Sequence, residues 1–151
     1  MANELCFMKI EGIDGECNVK DHKNEIEVLS FSHSCGIAID PNDVTKVMGR
    51  RNHSEATVTK VADKATPNLY KALVEGKMIN KIEVKWLRHK AEGEGTEHYL
   101  THTFEKCRIT NVTDSGGADG TVGETLTFAF GQITWKHEVE GQEFADKLRE
   151  Y

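Results

Sequence analysis

Between Thr125 and Val139 the apolar positions change parity. Leu126, Phe128 and Phe130 fall on even numbers and Ile133, Trp135 and Val139 on odd ones, with Gly131 between them. Side chains alternate faces along a β-strand, so this pattern predicts one long strand with an inserted residue near Gly131, a β-bulge that keeps the large side chains together across a bend. On that reading Phe128, Phe130, Ile133 and Trp135 are largely interior, and Trp135→Ala costs about 3–5 kcal/mol as a large-to-small core change. A second parity change separates Ile26 and Val28 from Leu29, Phe31 and His33 within a β segment over 25–35. Bends of this kind suit a sheet that curls into a barrel.

The same periodicity predicts the remaining elements. Leu5 to Ile10 is a short strand, followed by a polar connection over 12–24 read as an exposed loop. Glu55 to Ala62 is a strand with Ala56 and Val58 on one face. A helix follows, with Thr66 as its cap, Pro67 at the first position, Leu69, Tyr70, Leu73 and Val74 as its apolar stripe, and Gly76 at a left-handed end. Lys81 to Arg88 alternates strictly and pairs with Thr96 to Val112 as a hairpin across Gly93-Glu-Gly95, placing Trp86 and Phe104 in the core. Asp114 to Gly123 reads as a flexible glycine-rich connection, and Phe144, Leu148 and Tyr151 are spaced as in a short terminal helix. Two bends in the long strands favour a barrel over a flat sheet. The fold class is therefore mainly β: a single β-barrel domain over 1–151, with one short α-helix packed on its side or end and a long protruding loop.

That loop, 36–51, is the unusual stretch. Pro41, Asn42, Asp43 and Gly49 oppose regular structure, yet Ile37, Ile39, Val44, Val47 and Met48 are apolar. A loop that only crosses water is polar, so these side chains pack either against the body or against another subunit.

Composition narrows the chemistry. The 151 residues suit one domain, and a net charge of -6 argues against a nucleic-acid partner. Lys46, Arg50 and Arg51 form the one compact basic cluster, read as a solvated loop. The amino terminus lacks a basic region followed by an apolar run, so no cleavable signal is expected, and nothing approaches the roughly 20 apolar residues that insertion in a membrane requires. Cys6, Cys17, Cys35 and Cys107 have neither C-x-x-C pairing nor metal-ligand rhythm, and are read as four reduced thiols.

Seven histidines raise the question of metal or catalysis. His98 and His102 lie in a strand, where four residues span about 13 Å, too far for one zinc with ligands near 2.1 Å. His137-Glu138 lacks the second histidine of a metalloprotease helix. The run Gly116 to Thr125 has Glu124 where a phosphate loop needs lysine, and it precedes a strand. No catalytic residue, cofactor or metal is assigned.

Taken in order, Ile10-Glu-Gly-Ile-Asp-Gly-Glu16, His22-Lys-Asn-Glu-Ile-Glu-Val-Leu-Ser30, Thr59-Lys-Val-Ala-Asp-Lys-Ala-Thr-Pro-Asn-Leu-Tyr70, Ile82-Glu-Val-Lys-Trp86 and Phe130-Gly-Gln-Ile-Thr-Trp-Lys-His-Glu-Val139 resemble the haemolysin-coregulated protein (Hcp) family, the tube protein of bacterial type VI secretion. The resemblance implies homohexameric rings stacked into a tube inside a contractile sheath. It also implies a spike protein of the valine-glycine-repeat type at the tip and effector proteins in the lumen. Such a subunit is made in the bacterial cytoplasm and secreted without a cleavable signal. In the family the loop after the second strand reaches the neighbouring ring, which assigns Ile39, Val44, Val47, Met48 and Arg50 to ring stacking. Phe31 and His33 stand here where family members often have tryptophans. The alternatives are an effector-binding adaptor built on a related barrel and, resting only on the histidines and acidic residues, a metal-dependent enzyme.

Overall fold

The computed structural model describes residues 5–148. In chain order the strands are β1 (Cys6–Ile10), β2 (Ile26–Glu27), β3 (Ser30–Ser32), β4 (Cys35–Gly36), β5 (Ile39–Asp40), β6 (Asp43–Val47), β7 (Asn52–His53) and β8 (Ala56–Val61). After the helix α1 (Thr66–Glu75) come β9 (Ile79–His89), β10 (Thr96–Gly116), β11 (Val122–Ala129), β12 (Gln132–His137) and β13 (Glu143–Lys147). Nine of these form one antiparallel sheet in the order β2-β1-β9-β10-β11-β8-β3, with β12 on β10 and β13 on β12. Its two ends meet at one chain segment. Val28 N–H donates to Cys6 O at 3.0 Å and Leu29 N–H to Thr59 O at 2.8 Å, which rolls the sheet into a barrel. The parity change between Val28 and Phe31 is thus the crossing from one end of the sheet to the other.

The long strand β10 organises the wall. One of its edges pairs with β9, while the other is shared, β12 taking Leu100 to Glu105 and β11 taking Arg108 to Gly116. The expected one-sided bulge at Gly131 is corrected here. Ala129 faces Arg108 and Gln132 faces Glu105, so each strand places two residues in the gap and both change face together. Gly131 N–H donates to the carbonyls of Glu105 and Lys106, and Lys106 adopts φ 55°. True register shifts lie on β10, between Ile109 and Asn111 against β11 and between His98 and Leu100 against β9.

Inside, Phe104, Phe128 and Ile133 are fully buried, whereas Trp86, Phe130 and Trp135 are half-buried against the core. Trp135 lies opposite Phe144 on β13 and stacks on it, centroids 5.8 Å apart at 11°, and Phe144 is itself 65% exposed. The Trp135→Ala loss is accordingly lowered to about 1.5–3 kcal/mol, near the value of burying one large apolar side chain. Urea denaturation of that variant measures it.

Three further expectations change. The segment 12–24 is not a free loop: Ile13, Cys17 and His22 are buried, and His22 stacks on Phe7 at 4.2 Å. Phe7 sits between the buried Cys6 and Met8, so β1 needs cover on both faces, and this segment supplies it. Glu25 holds the cover in place, accepting from Lys85 Nζ at 2.7 Å and bonding His22 Nδ1 at 2.9 Å. In α1, Pro67 and the left-handed Gly76 sit as expected, and the N–H groups of Gly76 and Lys77 donate to Leu73 O and Ala72 O. Ala72 and Leu69 are its buried residues while Val74 is 83% exposed, and Thr66 accepts from Asp63 N–H rather than capping the helix. The tail is a strand, since β12 would otherwise present an open edge and β13 pairs along it. Tyr151 lies outside the described residues.

Next to the start of α1 a charged pair is buried in the wall. Lys60 on β8 faces Glu124 on β11, with Nζ 2.5 Å from Oε2 and both side chains shielded from solvent. Lys60 also reaches Asp63 Oδ1 at 3.1 Å, and Asp63 Oδ1 accepts from Ala65 N–H, so one ammonium ties the sheet to the start of the helix. Burial holds the Glu124 carboxyl above its usual range, against the opposing pull of Lys60. Strands β10 and β11 run further than the sequence pattern indicated, leaving only 117–121 as the glycine-rich turn.

Candidate assembly site

After β3 the chain leaves the barrel as a narrow hairpin, the arm. At its root β4 pairs with β7, with Cys35 opposite His53, and further out β5 pairs with β6, with Ile39 opposite Val47. Met48 N–H to Ala38 O bridges the two pairs at 2.8 Å. The tip is a tight turn: Asp40 Oδ1 accepts from Asn42 N–H, and Asp43 Oδ1 accepts from both the amide and the hydroxyl of Thr45. Those two donors hold the Asp43 carboxyl below its usual range, so the tip keeps its charge.

The structure resolves which surface the apolar loop residues face. Ile39, Val44, Val47 and Met48 are exposed, as is Ile37, and Val44 is 81% open to solvent. Arg50 follows on the same arm and is also exposed. The barrel of the same chain leaves all of them exposed, so packing against the body does not account for their apolar character. The six core residues named from the sequence form a separate group inside or along the wall and do not join this surface.

The root holds a cluster the sequence pattern did not reveal. His53 Nε2 lies 2.8 Å from Asp146 Oδ2 on β13, and Arg51 Nε donates to the same oxygen at 2.6 Å. Arg51 Nη2 adds a bond to Lys147 O, so the basic cluster around Arg51 is in part a pin. His33 Nε2 lies 3.1 Å from His53 Nδ1, and His33 packs among Phe104, Phe130 and Trp135. Arg51 first, with His53 assisting, holds the Asp146 carboxyl below its usual range. Next to this group, Trp86 Nε1–H donates to His102 Nδ1 at 3.0 Å, and burial, aided by the charge of His33, pushes His102 down to about 4.

Cys35, His53 and Asp146 bring a thiol, an imidazole and a carboxylate together, but not as a nucleophilic triad. Cys35 Sγ at 3.6 Å and Asp146 Oδ2 at 2.8 Å both address His53 Nε2, whereas a triad places nucleophile and carboxylate on opposite ring nitrogens. Among the described residues no three His, Cys, Asp or Glu side chains converge as metal ligands. The cysteines are free thiols, three buried and Cys35 exposed. Burial raises Cys6 and Cys107 to about 12. No helix among the described residues is long and apolar enough to cross a membrane.

Residues 7–137 match the family described as type VI secretion system effector, Hcp. The chain belongs to the Hcp family, the tube proteins of type VI secretion. This Hcp chain is 35% identical over 142 residues to the "Major exported protein" of Pseudomonas aeruginosa, covering 89% of this chain and 81% of that one. Its fold superposes on the Hcp1 protein of the E. coli EAEC 042 pathovar with a TM-score of 0.83 at 26% identity, covering 96% and 97% of the two chains. The secreted protein Hcp3 of Pseudomonas aeruginosa gives a TM-score of 0.77 at 29% identity, covering 97% and 99%. This places the Hcp chain in a structural family of secretion proteins.

Proposed function

We propose that the chain is the repeating unit of a secretion tube: homohexameric rings that stack through the arm, carry effectors in the lumen and leave the cell with the spike when the sheath contracts. In this role the chain is a scaffold, not an enzyme. One observation carries the reading. From Cys35 to Asn52 the arm is solvated, yet it presents Ile37, Ile39, Val44, Val47 and Met48. Each such side chain gains on the order of 1–2 kcal/mol when a partner covers it, and a ring engages all its arms at once, so modest contacts multiply. The strand pairing within the arm lowers the ordering cost of docking.

Deleting residues 40–48 is expected to leave a folded protein, because none of them packs on the barrel. Electron microscopy should then show single hexameric rings in place of stacks, and secretion should fall to background. Normal secretion by the deletion variant would remove the arm from the stacking contact. A purely monomeric wild-type species at high concentration would count against the tube itself.

A further inference from the structure

The root of the arm is joined to the barrel through two stacked imidazoles. The rings of His33 and His53 lie 5.2 Å apart at 21°, and the His53 side chain is 2% exposed. A carboxylate only accepts, so the contact with Asp146 fixes the proton of His53 on Nε2 and leaves Nδ1 as an acceptor. His33 therefore donates its Nε2–H across the 3.1 Å gap. A proton added to His33 goes to Nδ1 and turns the half-buried ring into a cation.

The surroundings decide what gives way. Phe104, Phe130 and Trp135 pack around His33 and offer it no counter-charge. The charged or titratable groups facing the pair are Cys35 and Arg51 from the arm, Asp146 from β13 and His102 from β10. Asp146 touches His53, not His33, and Arg51 adds a further positive charge. His53 is thus anchored on Asp146, while a charged His33 faces no group of opposite sign.

We propose that the arm root is a proton-operated clasp, in which protonation of His33 expels it from its aromatic pocket and opens the β4–β7 root while His53 stays on Asp146. Burial, then the charge of His53, already holds His33 below its ordinary value near 6.5, so His33 is neutral and the clasp closed at pH 7. Unfolded or released His33 takes its proton below about 6.5, so closure is favoured above that pH and lost as pH falls beneath it. The consequence for ring stacking rests on the tube reading; the clasp itself does not.

Hydrogen exchange tests it on the whole chain. Ser34 N–H donates to Ser54 Oγ and Ser54 N–H to Ser34 O, and both bonds belong to the root. Exchange across 31–36 and 52–55, corrected for intrinsic rate, is expected to rise at least tenfold from pH 7.5 to 5.0, with β10 around Phe104 unchanged. His33→Phe, which keeps the aromatic packing, and His33→Gln, which keeps an N–H donor, should both abolish the rise. No rise in the wild type, or an equal rise in both variants, would overturn the clasp. Stacking followed by microscopy over the same pH range separates the two readings: an open root with intact stacks leaves the clasp standing and refutes the stacking role of the arm.

Discussion

Replacing Lys60 with alanine is expected to destabilise the fold by about 3–5 kcal/mol, the usual consequence of removing one partner from a buried ion pair. The large value follows from what is left behind. Glu124 Oε1 already has no hydrogen-bond partner, and Oε2 would lose the one it has at 2.5 Å. The carboxyl would then have to take up a proton to remain buried. Its folded pKa, already raised by burial, would rise further once Lys60 no longer lowers it. A raised carboxyl pKa contributes stability below its unfolded value of 4.5 and loses it as pH rises through the folded value. The Lys60→Ala loss should therefore be greater at pH 7.5 than at pH 5. The pair Lys60→Met with Glu124→Leu should recover most of it, because two apolar side chains meet across β8 and β11 while Asp63, partly open to solvent, keeps its bond from Ala65 N–H. Urea midpoints of the wild type, single and double variants at both pH values measure all three effects, and an additive double variant would show that the pair is not coupled.

Phe104→Ala is expected to cost about the same, 3–5 kcal/mol, for a different reason. Phe104 is fully buried, with Phe128 edge-on at 5.0 Å and Phe130 tilted at 4.9 Å. It stands just before the two residues where β10 changes neighbour from β12 to β11, so its ring fills the barrel beneath the bend. Alanine would leave a cavity bounded by two separate ladders, each held by its own hydrogen bonds and neither free to collapse inward. Phe104→Leu, closer in volume, should lose less, on the order of 1–2 kcal/mol. Chemical denaturation with an unchanged slope confirms a loss of packing; a changed slope would instead indicate a less compact native state.

Much of this fold was legible because it rests on neighbours along the chain. Pro67 and Gly76 bound a helix by local sterics, and the alternation of Lys81 to Arg88 reports a half-buried strand wherever that strand pairs. Lys60 shares even parity with Ala56 and Val58, and Glu124 with Leu126 and Phe128, so their facing was readable as well. That they are buried was not, since a charge goes inside only when a partner meets it there. The parity change at Gly131 was read correctly as a bend and wrongly as one inserted residue, because the matching change at Lys106 on the facing strand is visible only once the two are paired. The tail shows the limit of periodicity over few residues: the helical spacing of Phe144 and Leu148 was outweighed by the open edge of β12, along which β13 pairs.

The arm divides in the same way. Its apolar content among turn residues, Ile39, Val44, Val47 and Met48 beside Pro41 and Gly49, was written in the sequence and marked the segment as unusual, while leaving open what it packs against. Its root was not, because Asp146 lies 93 residues from His53 and His33 another 20 away in the opposite direction. Local pattern determines which segments form strands and which faces they bury. Which strand closes the barrel, which edge β13 occupies and which carboxylate meets an imidazole depend on burial and pairing summed over the whole chain, and the tertiary structure alone decided them.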